Sequence, residues 1–284
     1  MIDLQHVTKR YGAKRAVDDV SFRIDAGESL ALWGSNGAGK TTLLRCLLGA
    51  TKSEGAIAID GLSPDRQGRE VRRRIGYVPQ EMPKFDLKVG EMIQLIARLR
   101  GVDAKPGFDR LASFGLAETR SLPVESLSGG MKQKLALTLA LLGDPPILML
   151  DEPTANLDAR SQLELISQLA ELNRQGRTIV FTSHRWSEVR SLANRIVVLE
   201  AGKQLYSGPV DGYTGMADTI NLRLKVAERD LVSSMLLLDE HGFEPVRHGD
   251  AILVTIDAQR KAEPLMVLAR SEVGVADFEV EAES

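Results

Sequence analysis

Three short stretches carry residue types that could do phosphate chemistry. The first is GSNGAGKTT, residues 34–42: Gly34, Ser35, Asn36, Gly37, Ala38, Gly39, Lys40, Thr41 and Thr42. Its glycines let consecutive backbone N–H groups turn inward around phosphate oxygens, and a helix that follows points its positive end at the same place. Lys40 is placed to reach β- and γ-phosphates, and the Thr41 hydroxyl to ligate Mg²⁺. The second stretch is DEPT, residues 151–154, entered directly from the apolar run ILML. A carboxylate at such a strand tip, Asp151, can bind Mg²⁺ directly or through water, leaving Glu152 to orient an attacking water. The third is ESLSGGMKQKLAL, residues 125–137, where a serine and two glycines open a helix with Lys132 and Lys134 just inside it. That too is anion-holding chemistry, and one nucleotide has no evident need for two such cradles.

The elements around these stretches must bring them together. SLALW before the first is a short apolar run, and KTTLLRCLLGA after it has helical length and leucine spacing. Residues 1 to about 60 read mostly as strands and turns, and about 71–143 as helical. ILML, then ARSQLELISQLAELNRQG, then TIVFTS read as strand, helix, strand, with continuous apolar runs in place of alternation; that is the pattern of a parallel sheet buried on both faces. Past about residue 212 the rhythm becomes strand, helix, strand, strand, helix, strand, a ferredoxin-like order. Its strands are expected at 222–226, 244–248, 251–256 and 277–280, its helices at 229–241 and 263–271. HGD supplies its middle turn, and Pro264 suits the first turn of its second helix.

In this combination the chain resembles the nucleotide-binding subunits of ABC transporters, over roughly residues 2–208. The resemblance implies an α/β phosphate-loop ATPase core over 1–212 with a helical subdomain at about 81–145, and 218–284 is left as an α+β accessory domain. It also implies roles. Tyr11 of RYG stacks on adenine, Gln80 of GYVPQ senses Mg²⁺ and the attacking water, LSGGMKQ is the family signature, Asp158 of ANLD belongs to its aspartate loop, and His184 of FTSH is the γ-phosphate histidine. With one phosphate loop and one signature per chain, two copies are expected to pair head-to-tail. Ser128, Gly129 and Gly130 of one then close over ATP held by Lys40 and the loop of the other, and hydrolysis gives ADP and phosphate. Two residues depart from the pattern. Asn156 stands where the aspartate loop commonly has glycine, and a left-handed conformation there is one asparagine tolerates. Trp33, before the phosphate loop, replaces a smaller apolar residue and reads as packing.

Composition narrows the partners. A net charge of −3 with 26% charged residues argues against a broad nucleic-acid footprint, and four arginines within residues 69–74 read as a solvated helix face. The one cysteine, Cys46, lies in the apolar run LLRCLLG and reads as a small core residue. His6, His241 and His248 read as ordinary structural histidines. Neither a signal-peptide layout nor a membrane-spanning apolar run is evident, so the expected place is cytoplasmic, peripheral at the inner face of the cell membrane through a separate permease. An ATPase with a small α+β tail looks most like subunits of two-gene exporters of the ABC-2 type. The alternative is a non-transport relative acting on ribosomes or DNA. The ribosomal kind carries two ATPase halves in one chain, and the DNA-repair kind a long coiled coil, neither of which is present. A regulator that binds without hydrolysing is disfavoured by Glu152. The tail carries no metal-ligand cluster and reads as a regulatory or dimer-supporting module.

Overall fold

The computed structural model describes residues 2–83, 85–213, 219–257, 260–271 and 273–282. Contacts divide the chain into two units, Met1–Gly212 and Tyr213–Ser284. The larger unit runs β1 (Ile2–Tyr11), β2 (Lys14–Ile24), β3 (Ser29–Trp33), α1 (Lys40–Leu47), β4 (Glu54–Ile59), α2 (Gly68–Arg73), β5 (Ile75–Val78), α3 (Val89–Arg100), α4 (Lys105–Ser113), α5 (Gly129–Ala140), β6 (Ile147–Leu150), α6 (Ala159–Arg174), β7 (Thr178–Ser183), α7 (Trp186–Leu192), β8 (Arg195–Glu200) and β9 (Lys203–Pro209). Its strands form a three-stranded antiparallel sheet, β2-β1-β4, and a six-stranded sheet, β5-β6-β7-β3-β8-β9.

All of β6 and all of β7 are buried, so neither strand shows alternation. They pair in parallel on either side of the crossover helix α6, with Ile147 opposite Thr178 and Leu150 opposite Phe181. β3 lies between β7 and β8, with Trp33 opposite both Ser183 and Val198. Parallel strands end at a common edge, and ligands of such sheets bind outside those carboxyl ends. That edge here gathers the exits of β3, β6 and β7.

Residues 71–143 are not helical throughout. They hold β5, whose four residues pair with β6 from Ile75 opposite Ile147 to Val78 opposite Leu150. A four-residue run is too short to declare a period, and Gly76 is set by close packing, since a Cβ there would fall 2.4 Å from the Ala140 carbonyl oxygen. α1 is also shorter than its leucine spacing suggests. It stops at Leu47, and Gly49 turns the chain out with φ 62°. The subdomain formed by α3, α4 and α5 has its own core of Val89, Met92, Ile93, Leu111, Leu135 and Leu142.

Arg72, Arg73 and Arg74 are exposed, and Arg74 pairs with Asp60 at 2.8 Å. Cys46 is buried, and burial pushes its thiol up to about 11.

The smaller unit contains β10 (Thr219–Val226), α8 (Leu231–Glu240), β11 (Pro245–His248), β12 (Ala251–Asp257), α9 (Glu263–Arg270) and β13 (Val275–Ala282). The sheet order is β11-β12-β10-β13, antiparallel throughout. Leu222, Leu224, Ile252 and Val254 of one sheet face share a core with Leu231 and Leu238 of α8 and Leu268 of α9. Several boundaries differ from the sequence expectation, and β10 begins at Thr219, ahead of the expected 222. α8 begins at Leu231 because residues 228–230 form a short 3₁₀ turn, and the last strand extends beyond 277–280 at both ends. The expected start of this region, residue 218, lies outside the described residues. Among the described residues no helix is long and apolar enough to cross a membrane.

Candidate nucleotide site

The phosphate loop needs its glycines for backbone reasons. Gly34 and Gly39 hold φ of 154° and 108°. A Cβ at Gly34 would lie 2.2 Å from the Leu199 carbonyl oxygen, and one at Gly39 2.4 Å from that of Ala16. The loop is thus threaded between fixed backbone segments where no side chain fits. Lys40, 4% exposed, turns back across it and donates to the carbonyls of Gly34 at 2.7 Å and Ser35 at 3.1 Å. The Thr41 hydroxyl donates to Asp151 Oδ1 at 2.9 Å, tying the start of α1 to the tip of β6.

Glu152 is the meeting point. Its backbone takes φ 43°, a left-handed conformation that costs a non-glycine residue roughly 1–2 kcal/mol. The Glu152 N–H donates to Thr182 Oγ1 at 2.8 Å, and that hydroxyl donates to Asp151 Oδ1 at 2.7 Å. So held, the Glu152 carboxylate stands 3.5 Å from Lys40 Nζ, 3.4 Å from Gln80 Nε2 and 3.4 Å from His184 Nδ1. Lys40, Gln80, Glu152 and His184 come from four separate segments and converge here. Lys40 and Glu152 are both largely buried, so removing either leaves a buried charge without its partner.

A cavity of about 450 Å³ opens over the loop, lined by Tyr11, Asn36, Gly37, Lys40, Thr42 and Gln80 among others. Lys14 also lines it, a cation that the sequence reading passed over. Tyr11 is 49% exposed, with Lys9 Nζ 5.0 Å from its ring centroid. The oxygens of Thr41 and Asp151 are hard donors. Few protein oxygens beside substrate phosphates is the usual way Mg²⁺ is held, and among the described residues no cluster of three or more His, Cys, Asp or Glu offers an all-protein alternative.

The signature residues do not line this cavity. Ser128 caps α5, its Oγ accepting from Met131 N at 3.3 Å. A second cavity of about 270 Å³ is bordered by Gly129, Lys132, Glu125, Asn156, Gln80 and Glu152, so Gln80 and Glu152 border both. Lys134 is not a free anion ligand as its position suggested: it donates to Glu164 of α6 at 2.9 Å and holds that carboxyl below its usual range. Asp158 caps α6, accepting from Ser161 N and from Ser161 Oγ, each at 2.9 Å, and those bonds hold it below the usual carboxylate range. The turn at Asn156 survives the absence of glycine, as expected, and does so without the left-handed conformation that asparagine tolerates. The turn is built instead from the Ala155 N–H to the Glu152 carbonyl and the Leu157 N–H to the Thr154 carbonyl, each 3.2 Å.

Sequence reasoning missed Thr182, Thr154 and Glu188. Thr182 is brought there by strand register, which the sequence does not display: Leu150 pairs with Phe181, so the next residues, Asp151 and Thr182, are neighbours. Glu188 is a carboxylate on the buried side of α7, bonded to the hydroxyls of Thr154 and Ser183.

A parallel sheet with a phosphate loop on β3, an acidic pair on β6 and a histidine on the strand between them defines a phosphate-loop ATPase. The chain belongs to the ABC transporter family, as an ATP-binding subunit that hydrolyses ATP. The family model for the ABC transporter domain matches residues 17–155. The Nod factor export ATP-binding protein I of Burkholderia pseudomallei (strain 1710b) is 39% identical over 213 residues, which cover 73% of this chain and 70% of that protein. A dimeric bacterial ABC transporter cassette superposes with a TM-score of 0.69 at 28% identity, over 75% of this chain and 100% of the cassette. The same cassette in a post-hydrolysis state bound to ADP and Pi gives 0.66 at 28% identity, with the same coverage.

Proposed function

We propose that this chain is the ATP-hydrolysing motor of a membrane exporter and works as a head-to-tail pair of copies. The convergence of Lys40, Gln80 and His184 on Glu152 carries the reading. Hydrolysis of a phosphoanhydride needs an in-line water and neutralised charge more than covalent chemistry. Lys40 and the loop amides supply charge, Glu152 takes a proton from water, and Gln80 and His184 orient the participants. Thr41 and Asp151, with Gln80 beside them, are the residues to hold Mg²⁺, which when bound neutralises phosphate charge. Tyr11 offers a ring face to adenine. Ser128, Gly129 and Gly130, at the exposed end of α5 and outside the chain's own loop cavity, close over the nucleotide of the second copy, with Asp158 at the same seam. ATP drives closure through its differential affinity for the closed pair.

The relatives named for Nod factor export support the outward direction, with a separate integral-membrane permease as partner and the inner face of the cell membrane as the place of action. The transported substrate does not follow from these residues. Glu152→Gln should abolish turnover and give an ATP-dependent dimer on size exclusion. A folded protein that stays monomeric at saturating ATP overturns the pairing. Mixing Ser128→Arg with Lys40→Ala subunits should restore part of the activity that each lacks alone, because a mixed pair retains one complete site. Copurification with a multi-helix membrane protein tests the transport role, and ribosomes or DNA in its place would favour the other class.

A further inference from the structure

His184 sits on a two-residue link between the last residue of β7, Ser183, and the first of α7, Trp186. Its side chain is 39% exposed, so packing alone does not fix it. The first turn of α7 is, in contrast, bound on three sides. The Glu188 carboxylate is 6% exposed and accepts hydrogen bonds from Ser183 Oγ at 2.7 Å and from Thr154 Oγ1. Ser183 immediately precedes His184, and Thr154 follows Glu152 by two positions. The Arg185 guanidinium lies 3.7 Å from the same carboxylate, and the Arg185 N–H donates to Ser183 Oγ at 2.9 Å. On the third side the Trp186 ring meets that of Trp33 edge to face, centroids 5.9 Å apart and planes at 73°. Trp33 is the residue that leads into Gly34 of the phosphate loop.

A buried carboxylate is a costly way to pin a helix whose other inward residues, Val189 and Leu192, are apolar. Glu188 takes its hydroxyl donors from the two segments that carry Glu152 and His184, so it fixes the spacing between them. We propose that Glu188 and Trp186 are positioning residues for hydrolysis: they hold His184 in register with Glu152 and the phosphate loop. This rests on the assignment of His184 and Glu152 above. The Trp33 ring, which reads from sequence as packing, is then the contact that ties that register to the loop.

The test is a double-mutant cycle on the full chain with His184→Ala. Glu188→Ala should lower kcat by about tenfold to a hundredfold, the scale of a small misplacement of reacting groups, with KM for ATP unchanged. Glu188→Gln, whose amide can still bond both hydroxyls, should recover most of that loss. In the His184→Ala background Glu188→Ala should cost nothing more, because it acts through the histidine. The chain's two tryptophans are both in the pair, so emission excited selectively at tryptophan, apart from the four tyrosines, reports on this pair, and Glu188→Ala should shift it. Should Glu188→Ala not fold, Trp186→Leu enters the same cycle with the same expectation. An undiminished kcat, a loss confined to KM, or an equal loss in the His184→Ala background overturns the proposal. Wild-type protein with no ATPase activity, or activity that survives Glu152→Gln, would instead overturn the reading of the site itself.

Discussion

The chain presents two glycine-bearing helix starts, at α1 and at α5, and they are built on opposite terms. At α1 the glycines are demanded by the chain's own backbone: Gly39 has φ 108°, and its missing Cβ makes room for the Ala16 carbonyl. At α5 neither Gly129 nor Gly130 has a positive φ. A Cβ on Gly129 would meet only the Asn156 carbonyl at 3.1 Å, and one on Gly130 only the Ser161 side chain at 3.1 Å. Glycine in the first turn of a helix gives up part of the roughly 1 kcal/mol by which alanine is favoured in a helix interior. The first cradle is therefore specified by a backbone that leaves no alternative, whereas at the second a small shift of the Asn156 carbonyl or the Ser161 side chain would admit a methyl group. A site of the second kind makes sense when its ligand arrives from outside.

That contrast can be broken by mutation. The largest effect is expected of Gly39→Ala, which forces a side chain into a left-handed loop residue at a cost of roughly 1–2 kcal/mol before the overlap with Ala16 is counted. Equilibrium titration with a fluorescent nucleotide should show binding lost, and the melting temperature should drop by several degrees. Gly130→Ala should leave the melting temperature nearly unchanged, since only the Ser161 side chain must give way, while ATP binding to the monomer is kept and turnover falls steeply. If Gly130→Ala turns over normally, the second cradle has no outside ligand. Ser128→Ala removes the α5 cap and should cost about 1 kcal/mol in a denaturant melt. The smallest effect is expected of Asp158→Ala. The hydrogen bonds of Ser161 depress that carboxyl, so its contribution is present above the ordinary carboxylate pKa and fades as pH falls through the folded value. Melts of variant and wild type should differ at neutral pH and converge in acid.

The parts of the site that were legible in the sequence are those whose chemistry is local. GSNGAGKTT is read by its spacing, and the acidic pair by the apolar strand that delivers it. The residues that hold the site together were not legible because their bonds are long-range. Thr182 reaches Glu152 from the neighbouring strand, thirty residues on, and Glu188 reaches back to Thr154. β5 was hidden for a different reason: IGYV lies in a helical neighbourhood and is a strand only because β6 offers an edge to pair with. The turn at Asn156 shows the converse: it was expected to survive without glycine, and it does, on two ordinary turn hydrogen bonds.

The burial of Cys46 has a practical consequence. A thiol held at about 11 is almost wholly protonated at neutral pH, and the thiolate is the reactive form. The only native cysteine of the chain should thus be silent to maleimides and oxidants while the fold is intact. A cysteine introduced at Ser128 in one population and at Asn36 in another would then be the sole labelling handle on each. Crosslinking between the two would time the approach of one copy to the other, with no background from the protein itself.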